Sequence, residues 1–179
     1  LTVDVNLYYT TGRIYSGYFY LPAEGAPWFF VKRPNGLAGD HVEYIRKPEQ
    51  MAELFAFYGL EMPEKLLLEA DELTYNDYIR LQKIFNPKET GNATAMMREL
   101  RRIKTPYEIE MFRISAERHA KTYAEIPECF RPGMTDLEFQ YEIEKRMRKN
   151  GSIGLFRAFG ANMDIFMGSL LAGENAGEP

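Results

Sequence analysis

Two helix starts with the same residue pattern lie in the second half of the chain. Thr105-Pro106-Tyr107-Glu108 and Thr135-Asp136-Leu137-Glu138 each place a glutamate three positions after a threonine. In such a capping box the threonine hydroxyl accepts a hydrogen bond from a backbone N–H of the first turn, and the glutamate accepts one from the threonine N–H. The pattern predicts two successive helices, the first ended by Pro132-Gly133 and the second followed by Gly151.

The first of these helices carries an apolar stripe. Its members recur at spacings of three and four residues and are Ile109, Phe112, Ala116, His119, Tyr123 and Ile126. The stripe predicts packing against a partner surface, so we interpret His119 as a packed or interface histidine and not as a metal ligand. The other histidine, His41, follows Gly39-Asp40. An Asp-His pair can form a catalytic dyad, but adjacent residues on a strand point to opposite faces. We therefore interpret His41 as a turn residue.

The first ninety residues alternate between strand-like and helix-like patterns. We expect strands at residues 2–9, 18–21, 28–31, 42–45 and 65–68, helices at 48–58 and 74–85, and a break at 86–92. This alternation predicts an α/β layered domain. A linker helix at about residues 94–102 then leads to the helix pair, and two apolar runs at 155–159 and 165–171 predict a terminal hairpin.

Aromatic residues are concentrated around the hairpin predicted at residues 18–31. They are Tyr15, Tyr18, Phe19, Tyr20, Trp28, Phe29 and Phe30. Such a cluster could form a stacking platform or an oligomer contact, but alternating aromatic side chains more often fill the core of a sheet. We therefore interpret the cluster as core.

Several segments together resemble one enzyme family. The run Arg101-Arg102-Ile103-Lys104-Thr105-Pro106-Tyr107-Glu108-Ile109, followed by Arg131-Pro132-Gly133-Met134-Thr135-Asp136, resembles the entry into the catalytic domain of the aminopeptidase P, prolidase and creatinase family. Asn6-Leu7-Tyr8-Tyr9 with Thr11-Gly12 is similar to the start of the N-terminal domain of that family, and Gly160-Ala161-Asn162 to its first catalytic-domain strand region.

The resemblance implies a fold and a domain division. The fold is a creatinase/prolidase-like N-terminal α/β domain, with a mixed sheet and flanking helices, followed by the first helices and strands of a pita-bread α+β domain. We expect the N-terminal domain at residues 1–92, a linker helix at 93–104 and the truncated start of the catalytic domain at 105–179.

The resemblance also implies an activity for a longer parent protein. This activity is metal-dependent hydrolysis of Xaa-Pro peptide bonds by an aminopeptidase or dipeptidase, with two divalent metal ions (Mn, Zn or Co). The family's ligands begin with two aspartates about eleven residues apart, whereas Asp164 is the last aspartate here and Asn175 stands eleven positions beyond it. We therefore expect no catalytic residue, metal ligand or cofactor site in this chain, and an inactive chain in isolation.

Two residues are substrate-adjacent by resemblance, Phe156 and Asn162, while Met167 occupies the position of a usual family histidine. The implied partners are a peptide substrate with proline at its second position and a second copy of the protein in a homodimer. Two alternatives remain open. One is a creatinase-like amidinohydrolase, and the other is a non-catalytic binding or assembly module of the same fold.

Charge and cysteine content limit the remaining partner classes. A net charge of −4 argues against nucleic acid, and no apolar run approaches the roughly 18 residues of a membrane helix. The single cysteine, Cys129, is interpreted as a packing residue and is consistent with a cytoplasmic location.

Overall fold

The structure is a computed structural model that describes residues 1–157, 164–166 and 168–177. Its contacts divide the chain into two compact units, Leu1–Ile103 and Lys104–Pro179. The functional domain limits at residues 92 and 104 remain a prediction.

The first unit is an α/β unit, as predicted. β1 and β2 form an antiparallel hairpin, β2 pairs in parallel with β3, and β4 pairs in parallel with β5, which gives a three-stranded mixed sheet and a two-stranded sheet. The elements in chain order are α1 (Asp4–Thr11), β1 (Ser16–Tyr20), β2 (Trp28–Arg33), β3 (Val42–Tyr44), α2 (Gln50–Tyr58), β4 (Lys65–Leu68), α3 (Tyr75–Phe85), β5 (Glu89–Asn92) and α4 (Thr94–Arg102).

Two sequence interpretations in this unit were wrong. Residues 2–9, read as a strand, lie largely in α1, and Gly12 ends that helix in the left-handed conformation. Val3 at the start of α1 provides no side-chain cap, so the usual helix-start signal is missing from the sequence. Residues 86–92, read as a break, contain β5, whose polar residues gave no strand signal; the pairing with β4 forms it.

Two groups of buried side chains lie on opposite faces of β1. Leu7, Phe19 and Val31 pack together on one face, where α1 lies. On the other face Tyr20 packs against the larger group, which contains residues of β2, α2, β4 and α3: Trp28, Phe30, Met51, Phe55, Leu66, Leu68, Leu81 and Phe85. The aromatic residues of the hairpin are buried or half-buried, which confirms their interpretation as core.

The second unit contains the predicted helix pair. α5 (Pro106–Cys129) and α6 (Asp136–Lys149) both begin with a complete capping box, in which the Thr105 N–H donates to Glu108 at 2.8 Å and the Thr135 N–H to Glu138 at 2.8 Å. Cys129 is buried where α5 faces α6, which confirms its interpretation as a packing residue.

A short hairpin follows the helix pair. β6 (Leu155–Arg157) and β7 (Asp164–Phe166) pair antiparallel, as the two apolar runs predicted. The strand predicted at residues 165–171 is longer than β7. Residues 168–172 have no regular secondary structure and precede a 3₁₀ turn at Gly173–Gly177. Leu171 is exposed there, so this part of the run lacks the apolar cover that a strand of the core would have.

Most of the apolar stripe of α5 is uncovered within the described part of the second unit, and Ile126 alone of its members is half-buried. Phe112 and Tyr123 are exposed by 57% and 69%, and His119 is exposed as well. His119 is therefore not packed within the described part of its unit, and its interpretation as an interface histidine stays a prediction. The side of α5 that is buried carries Thr122 and Cys129, and Thr122 accepts a hydrogen bond from Asn150 just after α6, so polar contacts as well as apolar ones join the two helices.

Candidate functional site

Of the two residues predicted to lie near a substrate, Phe156 falls on the β6–β7 hairpin. Phe156 is in the middle of β6, directly opposite Ile165 of β7. Asn162 and Met167 lie outside the described residues. The structure therefore gives Phe156 a place on a strand, and its nearness to a substrate remains a prediction.

The first turn of α6 fixes the segment that follows β7. Asp136 accepts hydrogen bonds from the Asn175 side chain at 2.9 Å and from the backbone N–H groups of Leu137 and Ala172 at 2.8 and 3.4 Å. One turn later, the Gln140 side-chain oxygen accepts from the Leu170 N–H at 2.9 Å. These bonds place residues 170–175 against the N-terminal half of α6.

The same bonds make Asp136 more acidic. Hydrogen bonding from Asn175, and then from the Leu137 and Ala172 N–H groups, lowers the pKa of the Asp136 carboxyl below its usual 3.8. Because the pKa is depressed in the folded protein, the stabilisation is present above the unfolded value and is lost as the pH falls through the folded pKa. Neutral pH therefore favours the contact of residues 170–175 with α6.

We expect Asp136→Asn to remove this pH dependence. In the unsubstituted chain the Asn175 side-chain amide resonances should titrate with a midpoint below 3.8, since protonation of Asp136 removes the charge that they face. NMR titration between pH 2 and 6 measures this midpoint, and Glu174→Gln in the exposed 3₁₀ turn is the matched control. An Asn175 resonance that titrates alike with and without Asp136 would contradict the assignment.

The described residues do not supply a metal site. Within residues 1–157, 164–166 and 168–177, no group of three or more His, Cys, Asp or Glu side chains is arranged to hold a metal ion. His41 lies in a turn with φ 56°, where its ring packs on Trp28 at 4.5 Å, as its interpretation as a turn residue predicted. The His, Cys, Asp and Glu side chains of the described residues therefore do not provide the ligands for the two metal ions that the resemblance implies.

Sequence reasoning missed a buried carboxylate that accepts three hydrogen bonds. Glu69 directly follows β4, is 1% exposed, and accepts hydrogen bonds from Thr2 N–H at 2.6 Å, Val3 N–H at 3.1 Å and the Asn6 side chain at 2.5 Å. It therefore anchors the start of α1, which has no local side-chain cap. A single glutamate at a strand end carries no local signal for a partner more than sixty positions away.

Comparison with known proteins identifies the family. Residues 1–103 match the sequence profile of the Creatinase/Prolidase N-terminal domain, which is more than half of the chain. The chain belongs to this family. As a Creatinase/Prolidase N-terminal domain, the first unit has the fold class that the resemblance implied, and its profile match ends where the first compact unit ends.

Relatives extend the likeness across both units. A peptidase of Staphylococcus haemolyticus (strain JCSC1435), itself uncharacterised, is 24% identical over 194 residues, an alignment that covers 100% of this chain and 50% of that protein. The chain thus spans about half the length of the curated relative that it matches.

Solved structures show the same fold. The prolidase from Pyrococcus furiosus aligns with 87% of this chain and 50% of its own, at 22% identity and a TM-score of 0.63. The Xaa-Pro dipeptidase from Bacillus anthracis aligns with 85% of this chain and 44% of its own, at 22% identity and a TM-score of 0.67. Each alignment is longer than the first unit alone, so the likeness includes part of the second unit.

Among the described residues, no helix is both long enough and apolar enough to cross a bilayer.

Proposed function

We propose that this chain is the N-terminal part of an Xaa-Pro peptidase, an aminopeptidase or dipeptidase that hydrolyses Xaa-Pro bonds with two divalent metal ions. The observation that carries the proposal is the Creatinase/Prolidase N-terminal domain at residues 1–103. The peptidase relative that matches the whole chain and the two solved Xaa-Pro enzymes of similar fold support it. The metal ligands would come from residues outside this chain, since the described residues offer no donor cluster.

The role of this segment in the whole enzyme is to provide scaffold, substrate access and oligomer contacts. In our proposal the domain limits are residues 1–92, 93–104 and 105–179, and Phe156 and Asn162 lie next to the substrate. The exposed stripe on α5, which includes Phe112 and Tyr123, supports a contact role because side chains of this size are usually covered in the working protein. The cover would come from the remainder of the catalytic domain or from the second subunit of a homodimer.

The single cysteine also supports a cytoplasmic location for the whole protein, since secreted domains commonly depend on disulfides.

The activity is tested on the full-length encoded protein together with this chain. With Mn²⁺ we expect the full-length protein to hydrolyse an Xaa-Pro dipeptide and not the matching Xaa-Ala dipeptide. The 179-residue chain alone should do neither, and should show no stoichiometric binding of Mn²⁺ or Zn²⁺ by titration calorimetry, because clustered carboxylates are required for both. A one-to-one site tighter than about micromolar on the chain alone would contradict the placement of the ligands elsewhere.

The same assay separates the two alternatives. Release of urea from creatine without Xaa-Pro cleavage would replace the peptidase by a creatinase-like amidinohydrolase, a possibility kept open because the family includes creatinase. A full-length protein that binds no metal and cleaves neither substrate would be a binding or assembly module. Either result would overturn the proposed peptidase activity and leave the family assignment unchanged.

A further inference from the structure

The chain contains two Asn-Gly dipeptides, Asn35-Gly36 and Asn150-Gly151. Asparagine is among the thermolabile residues of proteins, because the backbone nitrogen of the next residue can react with its side-chain amide. A following glycine has no side chain to hinder that approach and gives the backbone its greatest freedom. Because the two dipeptides are identical in sequence, a difference in their reactivity must come from the structure around them.

The first dipeptide lies in the exposed loop of residues 34–41 that connects β2 to β3. Asn35 and Gly36 are both exposed. Gly36 has φ 88°, and a Cβ built on it would have no other atom within 4 Å, so the space beside it is open. Within the described part of the chain, neither the Asn35 side-chain amide nor the Gly36 N–H takes part in a hydrogen bond. The two groups therefore have no such bond to break before they meet.

The second dipeptide follows α6 and is held at both of its reacting groups. The Asn150 side-chain nitrogen donates to the Thr122 hydroxyl at 3.1 Å and to a Glu125 carboxylate oxygen at 3.2 Å. The Gly151 N–H donates to the Arg148 carbonyl at 3.0 Å, and Asn150 is half-buried. These hydrogen bonds must open before the Gly151 nitrogen can reach the Asn150 side chain.

We infer that Asn35 is a site of spontaneous deamidation in the folded protein and that the fold protects Asn150 from the same reaction. After losing its proton to hydroxide, the Gly36 nitrogen forms a bond to the side-chain carbonyl carbon of Asn35. The C–N bond of the side-chain amide breaks, and its nitrogen leaves as ammonia with a proton taken from water. The product is a succinimide ring.

Water then opens this ring at either of its two carbonyl carbons. Position 35 becomes an aspartate when the newly formed C–N bond breaks. It becomes an isoaspartate when the original peptide bond to Gly36 breaks, so that the main chain runs through the former side chain. The reaction needs only water and hydroxide, and the inference does not depend on the proposed peptidase activity.

The reaction changes the charge beside two cationic side chains. Asn35 lines a cavity of about 780 Å³ together with Lys32, Arg33 and Asp4. Either product has a carboxylate in place of a neutral amide and adds one negative charge to the net charge of −4. Deamidation therefore partly offsets the positive charge of Lys32 and Arg33 at this cavity.

The isoaspartate product also lengthens the main chain between two anchored carbonyls. The Tyr44 hydroxyl lies 3.3 Å from the Pro34 carbonyl oxygen and 3.1 Å from that of Leu37, so it connects β3 to both sides of the dipeptide. An isoaspartyl linkage adds one carbon atom to the main chain between these two carbonyls. We therefore expect this product to displace at least one of the two oxygens from Tyr44.

Incubation of the full-length encoded protein in mildly alkaline buffer, followed by peptide mass spectrometry, tests the inference. Deamidation at Asn35 should be at least about tenfold faster than at Asn150, because the hydrogen bonds of Asn150 must open first. Part of the product at position 35 should be isoaspartate, which direct hydrolysis of the side chain cannot form. An Asn35 that stays intact, or that reacts no faster than Asn150, would overturn the inference.

The same incubation in guanidinium is the matched control. Unfolding removes the hydrogen bonds around Asn150, so the two dipeptides should then react at similar rates. An Asn150 that stays as slow in denaturant as in the folded protein would show that its sequence neighbours, and not its hydrogen bonds, protect it. That result would also overturn the inference.

Discussion

Phe55→Ala is expected to destabilise the first unit by about 3 to 5 kcal/mol, the usual cost of removing a fully buried phenylalanine. Phe55 is 0% exposed, and its ring lies 4.9 Å from Tyr20, 5.4 Å from Phe85 and 6.1 Å from Phe30. These neighbours come from β1, α3 and β2. Truncation at this position would leave a cavity that several elements line, so no single side chain could move to fill it.

Phe57→Ala is the matched control on the same helix. Phe57 is 78% exposed and lies two positions away, so its loss should change the free energy of unfolding by no more than about 0.5 kcal/mol. Guanidinium unfolding can be followed by the fluorescence of Trp28, the single tryptophan of the chain, which belongs to the same core. Equal effects of the two substitutions would mean that α2 does not pack through Phe55.

Local signals explain why the helix pair could be predicted. The capping boxes at Thr105 and Thr135 require only residues three positions apart, and both form as the sequence indicated. Gly59, which follows the helix predicted at residues 48–58, ends α2 in the left-handed conformation. Such features depend on short-range hydrogen bonds and backbone preferences, which the sequence contains directly.

The errors share a different cause, which is dependence on distant partners. α1 was read as a strand because Val3, Val5 and Tyr9 have strand preferences, whereas the acceptor that anchors the start of the helix is the distant Glu69. β5 was missed because its residues are polar and its pairing with β4 is what forms it. The α5 stripe was expected to be covered, but its partner is not among the described residues of its unit.

The candidate site was open to prediction only through resemblance. Nothing in the composition or spacing around Phe156 indicates a substrate, and the structure adds a strand position opposite Ile165. The expectation that metal ligands lie elsewhere came from counting aspartates after Asp136, since one carboxylate at Asp164 cannot make a two-metal site. Residue identity thus limits the chemistry of this chain more firmly than its geometry does.

Glu69→Ala is expected to be as damaging as the loss of Phe55, at about 3 to 5 kcal/mol, the lower part of the range for three buried donors that each lose an acceptor. The substitution would leave the Thr2 N–H, the Val3 N–H and the Asn6 side-chain amide without their acceptor at a buried site. Each of these donors loses a bond to a charged group, which is normally among the stronger hydrogen bonds in a protein. Since the donors belong to the start of α1, that helix should detach first, which exchange at Leu7 would report.

Glu69→Gln and Glu72→Gln separate the charge from the shape. Glu69→Gln would keep the side-chain volume and one acceptor oxygen but would bring an NH₂ group toward donors, so we expect a loss of about 1 to 3 kcal/mol, between Ala and the native residue. Glu72 forms a partly exposed pair with Arg98 at 3.2 Å, and its substitution should cost at most about 1 kcal/mol. The three substitutions should therefore rank Glu69→Ala, then Glu69→Gln, then Glu72→Gln in guanidinium unfolding. If Glu69→Ala cost no more than Glu72→Gln, the start of α1 would have to be held by something other than Glu69.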